Sequence, residues 1–118
     1  MAHPVRRFGQ VVRLKPEHAD DYRACHSRIW PEVASRIKAC GIEDYSIWYD
    51  DGTGLLFASF KYVGGDYEGD MRRMAADDKV REWWKVTDRC QESLVEGAVG
   101  SGESKGWWKG MEEVFYLG

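Results

Sequence analysis

The chain has no hydrophobic run long enough to span a membrane. Its longest apolar stretches, such as Leu55-Leu56-Phe57-Ala58, fall far short of the roughly 20 residues a spanning helix needs. It has no basic excess either. With a net charge of −3, it has no surplus cation to neutralise phosphates, so nucleic acid is excluded as a main partner. The N-terminal Met-Ala-His-Pro-Val-Arg-Arg-Phe lacks the apolar centre of a signal peptide, and a cytoplasmic protein is expected. Cysteines are few and odd in number: Cys25, Cys40 and Cys90, with no CxxC pair. That leaves a disulfide framework and a cysteine-type zinc site unsupported. Cys25 reads as a small buried hydrophobe rather than a nucleophile.

Catalytic signatures are missing as well. There is no GxSxG elbow, no HExxH and no carboxylate–histidine pattern, so neither serine hydrolase chemistry nor a metal is expected. Gly52-x-Gly54 and Gly100-x-Gly102 lack the third glycine and the strand-to-helix turn of a phosphate fingerprint. His3 and His18 have no convincing partner. What the chain does have is aromatic surface. Six Trp and six Tyr in 118 residues exceed what a small core needs, so some should line a pocket or an interface.

The length fits one domain, residues 1–118. Alternation from Phe8 to Leu14 predicts a strand. Lys15-Pro16-Glu17 starts a helix whose apolar positions run through Tyr22, His26, Trp30 and Ile37, and the Cys40-Gly41 cap ends it. Pro31 interrupts this pattern and predicts a break at Trp30. Tyr45–Tyr49 and Leu55–Tyr62 read as strands joined by Asp50-Asp51-Gly52-Thr53-Gly54. A short polar helix follows over Asp66–Met74. Asp77 then caps a helix running to about Leu94. Residues 97–110 read as a glycine-rich loop insertion, and Glu112–Leu117 as a last strand. The order β-α-β-β-α-β is that of a ferredoxin-like α+β fold with a four-stranded antiparallel sheet. Both helices then share one face, and the bare face should pair with a second copy or cover a ligand.

Tyr22, His26 and Trp30 stand four residues apart, about 40° per step around a helix, so phenol, imidazole and indole share a stripe. Histidine suits proton transfer near neutrality. The blander reading is a packed, hydrogen-bonded histidine at a helix interface. In Trp83-Trp84-Lys85 the two indoles point about 100° apart, so one can enter the core while the other faces a pocket. Trp107-Trp108-Lys109 reads as a loop or interface element.

Taken in order, Tyr22-x-x-x-His26-x-x-Ile29-Trp30-Pro31-Glu32, Tyr45-x-Ile47, Asp50, Leu55-Leu56-Phe57-Ala58, Trp83-Trp84-Lys85-x-Thr87-Asp88 and Glu113-Val114-Phe115-Tyr116-Leu117 resemble the L-rhamnose mutarotase family, from about Arg7 to Leu117. The resemblance implies a homodimeric isomerase of the dimeric α+β barrel type, interconverting the α and β anomers of L-rhamnose without a cofactor. It assigns the catalytic acid to His26 and sugar contacts to Tyr22, Tyr45, Trp83 and Trp84. Two departures bear on sugar preference. Ser27-Arg28 stand where the family often has Asn-Pro, and the glycine-rich segment with Trp107-Trp108 has no clear counterpart. The same fold also hosts monooxygenases and haem-binding enzymes, the alternative on fold analogy alone.

Overall fold

In the computed structural model, which describes residues 4–118, helices cover one face of a curled antiparallel sheet. His3 lies outside the described residues. Strand β1 (Arg6–Leu14) passes through a 3₁₀ turn at Pro16–His18 into α1 (Ala19–Ser27) and α2 (Pro31–Ala39). Strands β2 (Ile42–Asp50) and β3 (Leu55–Tyr62) form a hairpin, followed by α3 (Tyr67–Ala76) and α4 (Asp78–Arg89). Two short strands, β4 (Gln91–Glu92) and β5 (Lys109–Met111), end the order. The sheet runs β2-β3-β1-β4, with β5 also on β1 and every pairing antiparallel. This is the expected split βαβ arrangement. Two short pieces share the outer edge of β1 in place of one long fourth strand.

The expected helix break is present. Trp30 is extended, at φ −65° and ψ 130°, and Pro31 opens α2 in the first turn, where its missing N–H breaks no helical bond. Asp77 caps α4 by accepting from the Lys79 and Val80 amides at 2.9 and 3.2 Å. Its other oxygen accepts from Arg36 Nε at 2.8 Å, which ties α2 to α4.

Strand β2 opens at Ile42 rather than Tyr45, and two further boundaries differ from expectation. Helix α4 stops at Arg89 rather than Leu94, because Gln91 and Glu92 pair with Leu14 and Arg13 of β1. The last strand is Lys109–Met111 rather than Glu112–Leu117. Past Met111 a side chain replaces the backbone ladder: Arg7 donates to both carboxylate oxygens of Glu113, at 3.0 and 2.7 Å, and lies over the Tyr116 ring.

One irregularity decides which β2 side chains face the helices. Ile42 sits opposite Tyr62, and Ile47 opposite Ala58, with a register shift between Glu43 and Ser46. Asp44 and Tyr45 together oppose Phe60, a bulge. Asp44 adopts φ +50°, which Asp tolerates better than most residues, and its carboxylate pairs with Lys61 at 2.8 Å. The extra residue reverses the alternation, so Ile42 before it and Ile47 and Tyr49 after it all reach the helix side.

The core has two centres. Val12, Leu14, Leu56, Tyr22 and Cys90 form one; Cys40, Ile42, Phe60, Met74 and Val80 form the other. Leu56 is almost wholly buried. Leu56→Ala should therefore cost about 2–5 kcal/mol through lost burial and a residual cavity. Urea unfolding checks this, and a loss below about 1 kcal/mol would contradict the packing described.

Candidate active site

Between the helices and the sheet lies a cleft of about 920 Å³. His26 borders it from α1, Tyr45 and Ile47 from β2, and Trp83 and Trp84 from α4. Each arrives for a local reason. His26 is on the inward stripe of α1, one turn after Tyr22. Tyr45 is turned toward the Phe60 ring by the bulge, with ring centroids 5.6 Å apart. Trp83 is only 6% exposed and stands edge-on to both His26 (5.2 Å) and Trp30 (5.3 Å). Trp30, at the helix break, thus braces Trp83. Trp84 is half-buried and packs beside the Met74 and Val80 cluster. As expected for adjacent residues on a helix, one indole is mostly buried while the other is more open.

Tyr22 is placed differently from the other four site candidates. It is 5% exposed, lies under the cleft rather than among its lining residues, and packs its ring against His26 at 4.1 Å. Its phenol oxygen accepts from Gln91 Nε2 at 3.1 Å. Burial pushes the Tyr22 pKa far up, so the phenol stays protonated. Tyr45 is 40% exposed because the cleft is open, yet desolvation pushes its pKa up to about 12. It too is a neutral donor.

His26 Nδ1 lies 3.0 Å from the Tyr22 carbonyl oxygen and 3.2 Å from Cys25 Sγ. A carbonyl only accepts, and a thiol is a weak donor, so the stronger bond has Nδ1–H donating to Tyr22. That tautomer leaves Nε2 as the nitrogen with a free lone pair. Burial holds the His26 pKa below its ordinary value, against the opposing pull of the carbonyl bond. Near neutrality the imidazole is a base.

Trp107 and Trp108 also line the cleft, although their sequence reads only as a loop or interface element. Their tandem aromatic pattern is the available signal, but its position after a glycine-rich loop hides the return to the site. Gln91 carries no signal beyond its helical spacing. The loop itself is fastened to α4: Asp88 accepts from the Ser101 amide (2.8 Å) and hydroxyl (2.6 Å), and Arg81 donates to Glu103 at 2.9 Å. Among the described residues no three His, Cys, Asp or Glu side chains come together as a metal site, and no helix is long and apolar enough to cross a membrane.

A ferredoxin-like α+β fold whose cleft sets a histidine among aromatic walls suits a small enzyme acting on a polar ligand with apolar faces. The family model for L-rhamnose mutarotase matches residues 7–117. The chain belongs to that family, which makes it an isomerase. It is 38% identical over 104 residues to an L-rhamnose mutarotase of Burkholderia ambifaria, covering 88% of this chain and 90% of that one. It is 29% identical over 107 residues to the L-rhamnose mutarotase of Escherichia coli O8, covering 91% and 93%. The crystal structure of an L-rhamnose mutarotase from Formosa agariphila superposes with a TM-score of 0.71 at 26% identity, covering 96% of this chain and 99% of that one. These likenesses do not favour the monooxygenase or haem-binding alternative.

The loop also sets one wall. Gly102 has φ +81°, and a Cβ there would lie 2.5 Å from Trp84 Cζ3. Gly102→Ala should displace Trp84, shift the tryptophan emission spectrum and destabilise the fold by about 1 kcal/mol or more. An unchanged spectrum and melting curve would show that the loop does not press on Trp84.

Proposed function

We propose that this protein interconverts the α and β anomers of L-rhamnose by acid–base ring opening and reclosure. The observation that carries the reading is His26, its Nδ1 3.0 Å from the Tyr22 carbonyl, beside an aromatic-walled cleft in a chain of this family. In opening, Nε2 takes the proton of the anomeric hydroxyl, the C1–O5 bond breaks, C1 becomes a carbonyl and O5 takes the proton of the Tyr45 phenol, which regains it on reclosure. Rotation about C1–C2 presents the other carbonyl face. Reclosure runs the steps backward, with the imidazolium returning its proton as the acid. His26 therefore serves as base in one direction and acid in the other. Tyr45, a protonated phenol, suits hydrogen-bond donation on the ring-oxygen side. Trp83 and Trp84 supply apolar faces for the sugar's C–H surface and its 6-deoxy methyl group.

The test is saturation-transfer NMR over a panel of aldoses. L-Rhamnose should show enzyme-catalysed anomer exchange, and His26→Ala should lower it about 10²–10⁴-fold. Undiminished exchange in that variant would remove His26 from the mechanism. The pH profile has a definite sign. Because the His26 pKa lies below the ordinary value of 6.5, kcat/KM should be level from about pH 7 to 8 and fall only on the acid side of the ordinary imidazole titration, as the base is protonated. A rate that rises on acidification would mean that the free enzyme must carry the imidazolium.

We also propose a homodimer formed on the open face of the sheet. Trp48 is 67% exposed there beside its cross-strand neighbour Phe57, and the Val114, Phe115 and Leu117 side chains are exposed as well. So much uncovered apolar surface is unusual for a monomer. The wild-type chain should sediment as a dimer and Trp48→Asp as a monomer; a monomeric wild type would overturn this. Three free cysteines, two of them buried, suit the reducing cytoplasm.

A further inference from the structure

We propose that Gln91, locked by Trp107, is a positioning residue that fixes Tyr22 as a hydrogen-bond donor toward the sugar; this rests on the mutarotase reading above. Trp107 Nε1 donates to Gln91 Oε1 at 2.8 Å, and Gln91 Nε2 donates to Tyr22 Oη at 3.1 Å. The direction of this relay follows from chemistry. An indole N–H can only donate, so the amide oxygen of Gln91 must face Trp107. The amide nitrogen then faces Tyr22, and it too can only donate. Tyr22 Oη is therefore the acceptor, and its own proton is uncommitted. No other hydrogen bond of this oxygen is found among the described residues.

The relay is also held at both ends. Gln91 is 2% exposed, and its backbone is paired with Leu14 of β1. Ser93 Oγ donates to the Trp107 carbonyl, which fixes the far end. The Tyr22 ring abuts the cleft lining, because the cleft residue His26 packs on it at 4.1 Å, and Ile47, Trp107 and Trp108 line the cleft and pack on the core cluster that contains Tyr22. Thus the segment after the glycine-rich loop, through one indole N–H, sets the polarity of a group on α1.

Two variants of the full chain test this by KM and kcat for L-rhamnose anomer exchange, with melting curves to verify folding. In Gln91→Glu, a protonated carboxyl can still donate to Tyr22, whereas a carboxylate can only accept and turns the Tyr22 proton inward. KM should rise about 3- to 10-fold as pH increases through the titration of the introduced carboxyl group, with kcat changed less than about 2-fold, the size expected for one hydrogen bond. Trp107→Phe frees the amide to rotate and should raise KM by about 2- to 5-fold at every pH. A merely structural role would give no pH-dependent KM. Wild-type KM in both folded variants would overturn the proposal, and if Gln91→Glu does not fold, wild-type KM in Trp107→Phe overturns it alone, while a raised KM there supports it only with a moved Tyr22 hydroxyl or ring resonance. Absence of exchange in the wild type would instead overturn the mutarotase reading. The relay is then judged by the Trp107 indole proton resonance, which moves in Gln91→Met if the bond exists; an unmoved resonance overturns the relay itself.

Discussion

The site depends on a single extra residue in β2. A strand with strict alternation cannot send both Ile42 and Ile47 to the same face, since they are separated by an odd number of steps. The bulge at Asp44 and Tyr45 resolves the conflict. Before it, Ile42 joins the Phe60, Met74 and Val80 cluster; after it, Ile47 and Tyr49 pack against the Tyr22 cluster. Removing the bulge would turn Tyr45, Ile47 and Tyr49 outward and Trp48 inward. The cleft would then lose its sheet-side donor and gain an indole where a sugar should sit. A left-handed Asp costs something locally, and the Lys61 ion pair on an exposed strand offsets little of it. The burial of two aliphatic side chains on one side is the larger effect.

The helix break acts in the same direction. An unbroken helix through Trp30 would carry the stripe straight on. The extended Trp30 instead leaves α1 to present His26 and lets α2 pack against α4 through Val33 and the Arg36–Asp77 pair. Trp30 then stands against Trp83, which in turn stands against His26. The imidazole is held between the Tyr22 ring and the Trp83 edge, surroundings that disfavour its charged form. Burial lowers the His26 pKa, which suits the base that the proposed mechanism requires.

Much of this is legible in the residues. The strand order, the break at Pro31, the Asp77 cap and the grouping of Tyr45, Ile47 and Tyr49 all follow from local periodicity and capping, which are short-range effects. The end of α4 is not legible, because Cys90 and Gln91 continue the helical spacing and only pairing with Leu14 and Arg13 turns Gln91 into a strand residue. The last strand is hidden for a similar reason: Val114 to Leu117 have strand-like composition, but the Arg7–Glu113 pair holds the chain there without a ladder. At the site, a four-residue spacing places Tyr22 on the His26 stripe. It cannot show that the phenol lies beneath the cleft, because that depends on Gln91 reaching it across 69 positions.

The composition of the cleft bears on how an anomer exchanger should bind. Indole and phenol walls contact the apolar faces of a pyranose about equally in the closed ring and along the reaction path, so they add uniform binding and little acceleration. In the mechanism proposed above, acceleration comes from groups whose interactions strengthen as C1–O5 lengthens, and these are few: the His26 lone pair and the phenol protons. A cage of many fixed hydrogen bonds would hold every hydroxyl and oppose the C1–C2 rotation that the exchange requires. Broad aromatic surfaces with a small number of oriented donors would leave that rotation free. On the proposed relay the amide of Gln91 matters although it does not line the cleft, because where donors are few, the direction of each one sets a larger share of the outcome.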